Sequence, residues 1–139
     1  RDRGKNDAKL ISSELSTQGT KPDIMISSPA KRALKTARIF AENLNFNKKN
    51  ILEVDDIYEG LTTSGFLGLI QDLPEEKETA FIFGHNPGFH YFANNLLENF
   101  GGDMPTCSTV GIDFYVDSWK KIEARTGKKA FQFVPKMFK

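Results

Sequence analysis

Residues 21–44 read KPDIMISSPAKRALKTARIFAENL, and the architecture follows from this stretch. Pro22 and Asp23 lead into Ile24-Met25-Ile26, a short run typical of a strand buried on both faces. Ser27-Ser28-Pro29 breaks that run, and Pro29 suits the first turn of a helix, where a missing N–H costs nothing. Beyond it Ala30, Leu34, Ala37, Ala41 and Leu44 form one apolar stripe, with Lys31, Lys35, Arg38 and Glu42 largely off it. A buried strand that turns at once into an amphipathic helix is the building step of an α/β layer fold.

The same pattern extends in both directions. Upstream, Ala8, Ile11 and Leu15 are three and four apart and predict an amphipathic helix over Asn6–Thr17, stopped near Gly19. Downstream, Ile51–Val54 can form a strand, and Asp55–Thr63 reads as irregular. Phe66, Leu67, Ile70 and Leu73 support a helix closed by Pro74, and Thr79–Phe83 reads as a strand. A helix is expected from Pro87 or Gly88 to about Asn99, with Phe89, Phe92, Ala93 and Leu96 inward. A Gly-rich loop at 101–105 precedes Ile112, Phe114 and Val116, which alternate with polar or exposed-type neighbours as in a half-buried strand. Thr126-Gly127-Lys128 is a turn signal before a last strand at Ala130–Val134. Strands alternating with helices imply an α/β fold with a mostly parallel sheet, its last two strands antiparallel and nearer an edge.

Bulk composition narrows the function classes. The 139 residues fit one domain, and 39% hydrophobic with 27% charged residues is an ordinary globular balance. Nineteen basic against eighteen acidic residues leave a formal charge of +1, which gives no electrostatic case for nucleic acid or for an anionic membrane. Cys107 is the single cysteine, so no intrachain disulfide can form, which suits a reducing compartment. No apolar run is long enough to span a bilayer, no signal-peptide pattern opens the sequence, and a cytoplasmic location is expected. There is neither a G-x-x-x-x-G-K-[ST] loop nor a G-x-G-x-x-G fingerprint, and two scattered histidines with a remote cysteine have no metal-ligand spacing.

In open α/β sheets ligands bind beyond the carboxyl ends of the strands. Both Ser27-Ser28-Pro29 and Gly84-His85-Asn86-Pro87-Gly88 sit at such ends. The first opens a helix whose leading N–H groups lack helical partners, a natural anion seat. Arg32 falls in that helix's first turn, where a cation opposes the macrodipole. It is either a solvated surface arginine or a group that shares an anion with those amides or pairs with a carboxylate. His85 stands on a turn at a strand end, as a loop residue bonded to backbone or as a group presented to phosphate oxygens or moving protons. His90 falls inside the next helix near Phe89 and Phe92 and reads as a packed or rim histidine. Asp55, Asp56 and Glu59 form an acidic stretch, either a solvated loop or the source of a proton donor.

Taken together, KPDIMISSPAKRALKTARIFAENL at 21–44 and FIFGHNPGF at 81–89 resemble the histidine phosphatase superfamily. RGKNDA at 3–8, IYEG at 57–60, MPTCSTVGIDF at 104–114 and VDSW at 116–119 extend the likeness along the chain. Within the superfamily it is nearest to the small bacterial phosphohistidine phosphatases. The resemblance implies a three-layer α/β/α domain of the phosphoglycerate mutase-like kind. It matches Arg32 to an arginine that grips the phosphoryl group and His85 to the second histidine of the site. The variable proton donor falls near Glu59, and Ser28 and Asn86 become supporting phosphate-site residues. No cofactor and no metal are called for. The implied substrate is a phosphohistidine-bearing protein, with inorganic phosphate as product; a small phosphate ester is the alternative, and neither nucleic acid nor membrane is a partner.

One departure bears on the chemistry. Family members open on a strand ending in Arg-His-Gly or Arg-His-Ala, whose histidine becomes phosphorylated. No such motif occurs here, and RDRGKNDA matches the segment that follows it. Residues 1–139 are therefore expected to be a histidine phosphatase domain without its first strand, inactive alone. The other reading is a natural phosphate-binding domain that lacks the nucleophile. The first is favoured, because that strand is central to the sheet and its loss would strip backbone partners.

Overall fold

The computed structural model describes residues 2–99 and 108–139. The expected Gly-rich loop at 101–105 and Cys107 lie outside the described residues. Helix α1 (Asp2–Thr17) leads to strand β1 (Ile24–Ser27) and helix α2 (Lys31–Asn43). Strand β2 (Leu52–Glu53), helices α3 (Asp55–Glu59) and α4 (Thr63–Gln71), strand β3 (Ala80–Phe83) and helix α5 (Gly88–Leu96) follow. Strands β4 (Thr109–Asp113) and β5 (Lys128–Phe133) complete the described elements, apart from short 3-10 turns. Among the described residues no helix is long and apolar enough to cross a membrane.

Strand β1 is the centre of a parallel sheet ordered β2-β1-β3, and β4 and β5 pair antiparallel as expected, although β4 ends at Asp113, before Phe114 and the exposed Val116 of the expected alternation. All four residues of β1 are buried, and its period-two alternation divides the interior into two faces. Met25 faces Ala8, Ile11 and Leu15 of α1 and Ala37, Phe40 and Ala41 of α2. Ile24 and Ile26 face Phe66 and Ile70 of α4 and Phe92 and Leu96 of α5. The remaining strands obey the same division. Phe81 and Phe83 of β3 and Phe131 and Phe133 of β5 lie against the α1/α2 cluster, while Ala80, Ile82 and Ile112 lie against the other. The result is the expected three-layer α/β/α arrangement.

Polar contacts fix how the layers seat. Ser12, fully buried, donates its hydroxyl to Ala8 O at 2.7 Å and accepts Asn43 Nδ2–H at 2.8 Å, joining α1 to α2. Asp23 Oδ2 accepts the N–H groups of Glu78 and Thr79 at 2.9 and 3.0 Å, aligning the starts of β1 and β3. Trp119 Nε1 donates to Lys77 O at 2.6 Å, and Gln71 Nε2 to Ile122 O at 2.8 Å, binding the segment before β5 to the loop ahead of β3 and to α4.

Several boundaries differ from those expected. Asp55–Glu59 is helical rather than irregular. Its five residues bury only Ile57, too few to leave a periodic stripe, and Gly60 ends it at φ 99°. Helix α2 begins at Lys31, so Pro29 precedes the first turn instead of occupying it. Ala30 is the extended N-cap, and its N–H is taken by Ser28 Oγ. Helix α5 stops at Leu96 rather than near Asn99, because the chain there turns to pair with Gly127: Gly127 N donates to Leu96 O and Glu98 N to Gly127 O. At the other end, α1 starts at Asp2, earlier than its apolar spacing shows. Gly19 does end it, at φ 77°, with Thr20 N reaching back to Leu15 O.

Leu15 is fully buried between α1, α2 and the sheet. Leu15→Ala should lower unfolding free energy by about 2–5 kcal/mol in a urea titration. Replacement of exposed Lys9 by alanine should change it by no more than about 0.5 kcal/mol.

Candidate functional site

The site begins with a register. Parallel pairing sets Ser27 of β1 level with Phe83 of β3, and Ser28 N donates to Phe83 O at 2.9 Å. The two strands therefore end together, and the residues that follow them meet. Ser28 Oγ lies 3.0 Å from His85 Nε2 across 57 residues of sequence. Ser28 is fully buried and His85 half-buried, so the contact closes the floor of the strand-end cleft while leaving the imidazole reachable. The hydroxyl also accepts the Ala30 N–H at 3.2 Å, and Ser27 Oγ donates to Ser28 O at 2.8 Å. One serine thus orients the histidine and shapes the entry to α2.

The turn carrying His85 is braced from behind. A Cβ on Gly84 would fall 2.2 Å from the ring of Phe89, so only glycine lets the chain pass that ring. Phe89 packs edge-on against Phe66 and tilted against Phe92, which stack on each other at 4.2 Å. Phe89 N in turn donates to His85 O at 2.9 Å, starting α5. Asn86 and Pro87 are exposed and joined by a cis peptide bond.

Around this floor stand the other expected residues. Arg32 is the second residue of α2 and exposed. Among the described residues its guanidinium has no carboxylate partner, so the ion-pair reading of Arg32 finds no support. The first intrahelical bond into α2 runs from Leu34 N to Ala30 O, which leaves the N–H groups of Lys31, Arg32 and Ala33 without helical acceptors. No acidic side chain occupies that first turn. These donors, the positive end of the helix and Arg32 can together hold an oxyanion.

Glu59 does not join this group. It is exposed at the end of α3 and lines a hollow of about 310 Å³ with Asp56, Gly60, Leu61 and Thr62. A separate hollow of about 390 Å³ opens beside the Ser28–His85 floor, lined by Pro29, Ala30, Lys31 and Tyr58. Tyr58 also meets His85 edge-to-face, ring centroids 6.1 Å apart. Reading Asp55–Thr63 as irregular missed this tyrosine. A short helix ended by Gly60 would have turned Ile57 inward and left its neighbour outward. His90 is half-buried in α5 with its ring against Tyr91, as a rim histidine should be.

Comparison with known proteins fits this geometry. A family model described as the histidine phosphatase superfamily (branch 1) matches residues 1–84, more than half of the chain. No curated protein sequence matches. Among solved structures, the protein histidine phosphatase SixA complexed with tungstate is similar with a TM-score of 0.77 at 19% identity, over 100% of this chain and 85% of that one. A protein of Agrobacterium tumefaciens described as a SixA phosphohistidine phosphatase gives a TM-score of 0.79 at 18% identity, over 97% of this chain and 82% of that one. At these identities the likeness is one of fold.

The Ser28 contact can be tested directly. Ser28→Ala removes a buried hydroxyl shared by His85 and the Ala30 N–H, and should cost about 1–2 kcal/mol of stability. The imidazole nitrogen resonances of His85 should shift with it. Resonances that match the parent protein would show that the hydroxyl does not orient the ring.

Proposed function

The chain belongs to the histidine phosphatase superfamily, and from that premise we propose that its strand-end cleft binds and hydrolyses the phosphoryl group of a phosphohistidine-bearing protein. The observation that carries this reading is the 3.0 Å contact between Ser28 and His85 at the start of α2. It joins a half-buried histidine to a helix N-terminus where Arg32 stands, a combination suited to an anion and not needed for packing.

The chemistry proceeds in two steps without a metal. A histidine nitrogen attacks phosphorus, the bond from phosphorus to the substrate imidazole breaks, and the departing nitrogen takes a proton. Water then attacks the phosphorylated histidine, releasing inorganic phosphate and regenerating the nucleophile. Arg32, the α2 amides and His85 hold the equatorial oxygens, with Ser28 and Asn86 supporting them, so catalysis rests on positioning and electrostatics. Glu59, expected as the proton donor, lines a separate hollow and is not placed to supply the departing nitrogen's proton, so solvent is its source.

His85 fills the second-histidine role, so the nucleophile of this reading comes from a strand outside residues 1–139. Two features support a place for it. Among the described residues, strand β3 is hydrogen-bonded through one edge to β1, and β4 through one edge to β5. The phenylalanines of β3 and β5 nevertheless share one core face, and Ile82 and Ile112 share the other. A strand inserted between β3 and β4 would unite the two sheets and satisfy both edges. The SixA structure with tungstate, a tetrahedral oxyanion, shows that a protein of this fold takes such a ligand.

Protein expressed from the full coding sequence should release phosphate from a phosphohistidine protein. His85→Ala and Arg32→Ala should each lower the rate by about 10²-fold or more, as when one electrostatic stabiliser is removed. Unchanged turnover in both variants would refute the site. A full coding sequence that encodes no Arg-His-Gly or Arg-His-Ala strand would leave a phosphate-binding domain.

A further inference from the structure

Tyr58 is exposed, yet its ring is in contact with His85 of the site. It is 63% exposed, a large aromatic surface left in water on a helix of five residues. That helix is anchored at two points just ahead of it. Val54 N donates to Ser27 O at 3.0 Å, which hangs α3 from the end of β1 one residue before Ser28. Ile57, its neighbour, is buried in the α4/α5 cluster. Tyr58, Ser28 and His85 therefore belong to one frame, and the phenol ring meets the imidazole edge-to-face.

The hollow beside it has a consistent chemical character. Tyr58 forms one wall and Pro29, Ala30 and Lys31 the other. Between them they offer an aromatic face, a pyrrolidine ring, a methyl group and the methylene stem of a lysine, with one ammonium. The floor next to this hollow is the anion seat. A group bonded to phosphorus in that seat and leading outward passes between these walls. An aromatic wall rewards a flat occupant, since a rigid ring buries area without losing rotamer freedom and gains ring–ring contact. A flexible alkyl chain gains neither.

We infer that Tyr58 is a specificity-determining residue, forming with Pro29 and Lys31 a slot for a planar ring that carries the phosphoryl group. This rests on the phosphate seat proposed above and states which leaving groups the seat accepts: imidazole or aryl rings over alkyl esters.

Non-hydrolysable phosphonates test it on the full-length chain by calorimetric titration. Phenylphosphonate should bind about 3- to 10-fold tighter than ethylphosphonate, and a triazolylphosphonate shows whether a five-membered ring is preferred to a six-membered one. Tyr58→Ala should abolish the ring preference, and Tyr58→Phe should keep it. Both variants should bind inorganic phosphate as the parent does and melt at its temperature, the side chain being exposed. Equal affinity for phenyl- and ethylphosphonate in the parent, or a ring preference that survives in Tyr58→Ala, would overturn the slot while leaving the phosphate seat intact. Failure of inorganic phosphate itself to bind the parent chain would overturn both.

Discussion

The parallel pairing of β1 with β3 is the constraint from which the rest follows. Four residues on each strand are matched from Ile24 with Ala80 to Ser27 with Phe83. This short ladder decides which side chains face which helices and which residues leave the sheet together. Because side chains alternate with period two, a slip of one residue along β3 would exchange Phe81 and Phe83 with Ala80 and Ile82. Large rings would then be driven toward the already stacked Phe66 and Phe92, and the α1/α2 face would be left with an alanine. The same slip would carry His85 away from Ser28. Core packing and site geometry are thus one requirement, and the Asp23 clamp on Glu78 and Thr79 secures it from the opposite end of the strands.

Much of this was legible in the sequence where the periodicity is strong. Ile24-Met25-Ile26 and Thr79–Phe83 read as strands because each is a short, largely apolar run that ends at a turn. Helix α2 read clearly because its stripe persists for several turns. Boundaries governed by a distant partner did not. The stop of α5 at Leu96 depends on Gly127, some thirty residues on, whose close approach to Leu96 O leaves no room for a side chain. Nothing local to Leu97 encodes it. Helix α3 was hidden for the opposite reason: it is fixed by its ends, through Val54 and Gly60, and by a single buried isoleucine.

The site divides along the same line. Ser28, Arg32 and His85 stood out because strand ends and helix starts are visible in sequence, and such junctions are where an α/β fold presents chemistry. Their mutual distance was not visible, since it depends on register. Tyr58 was hidden because its meaning comes only from contact with His85. Glu59, next to it in sequence, lies on a different hollow, which illustrates how one step along a short helix separates two neighbours in space.

The charge distribution carries a further implication. With a formal charge of +1, residues 1–139 exert little long-range pull on an anionic partner. Attraction has to come from the start of α2, where Lys31 and Arg32 stand against the helix dipole with no acid in the first turn. Each cation so placed costs about 0.3–1 kcal/mol in the unliganded protein. An anion bound at the helix start would offset that repulsion, because it is attracted both by the cations and by the amide donors. Stability given up in the free state then reappears as affinity for the ligand, concentrated at one cleft.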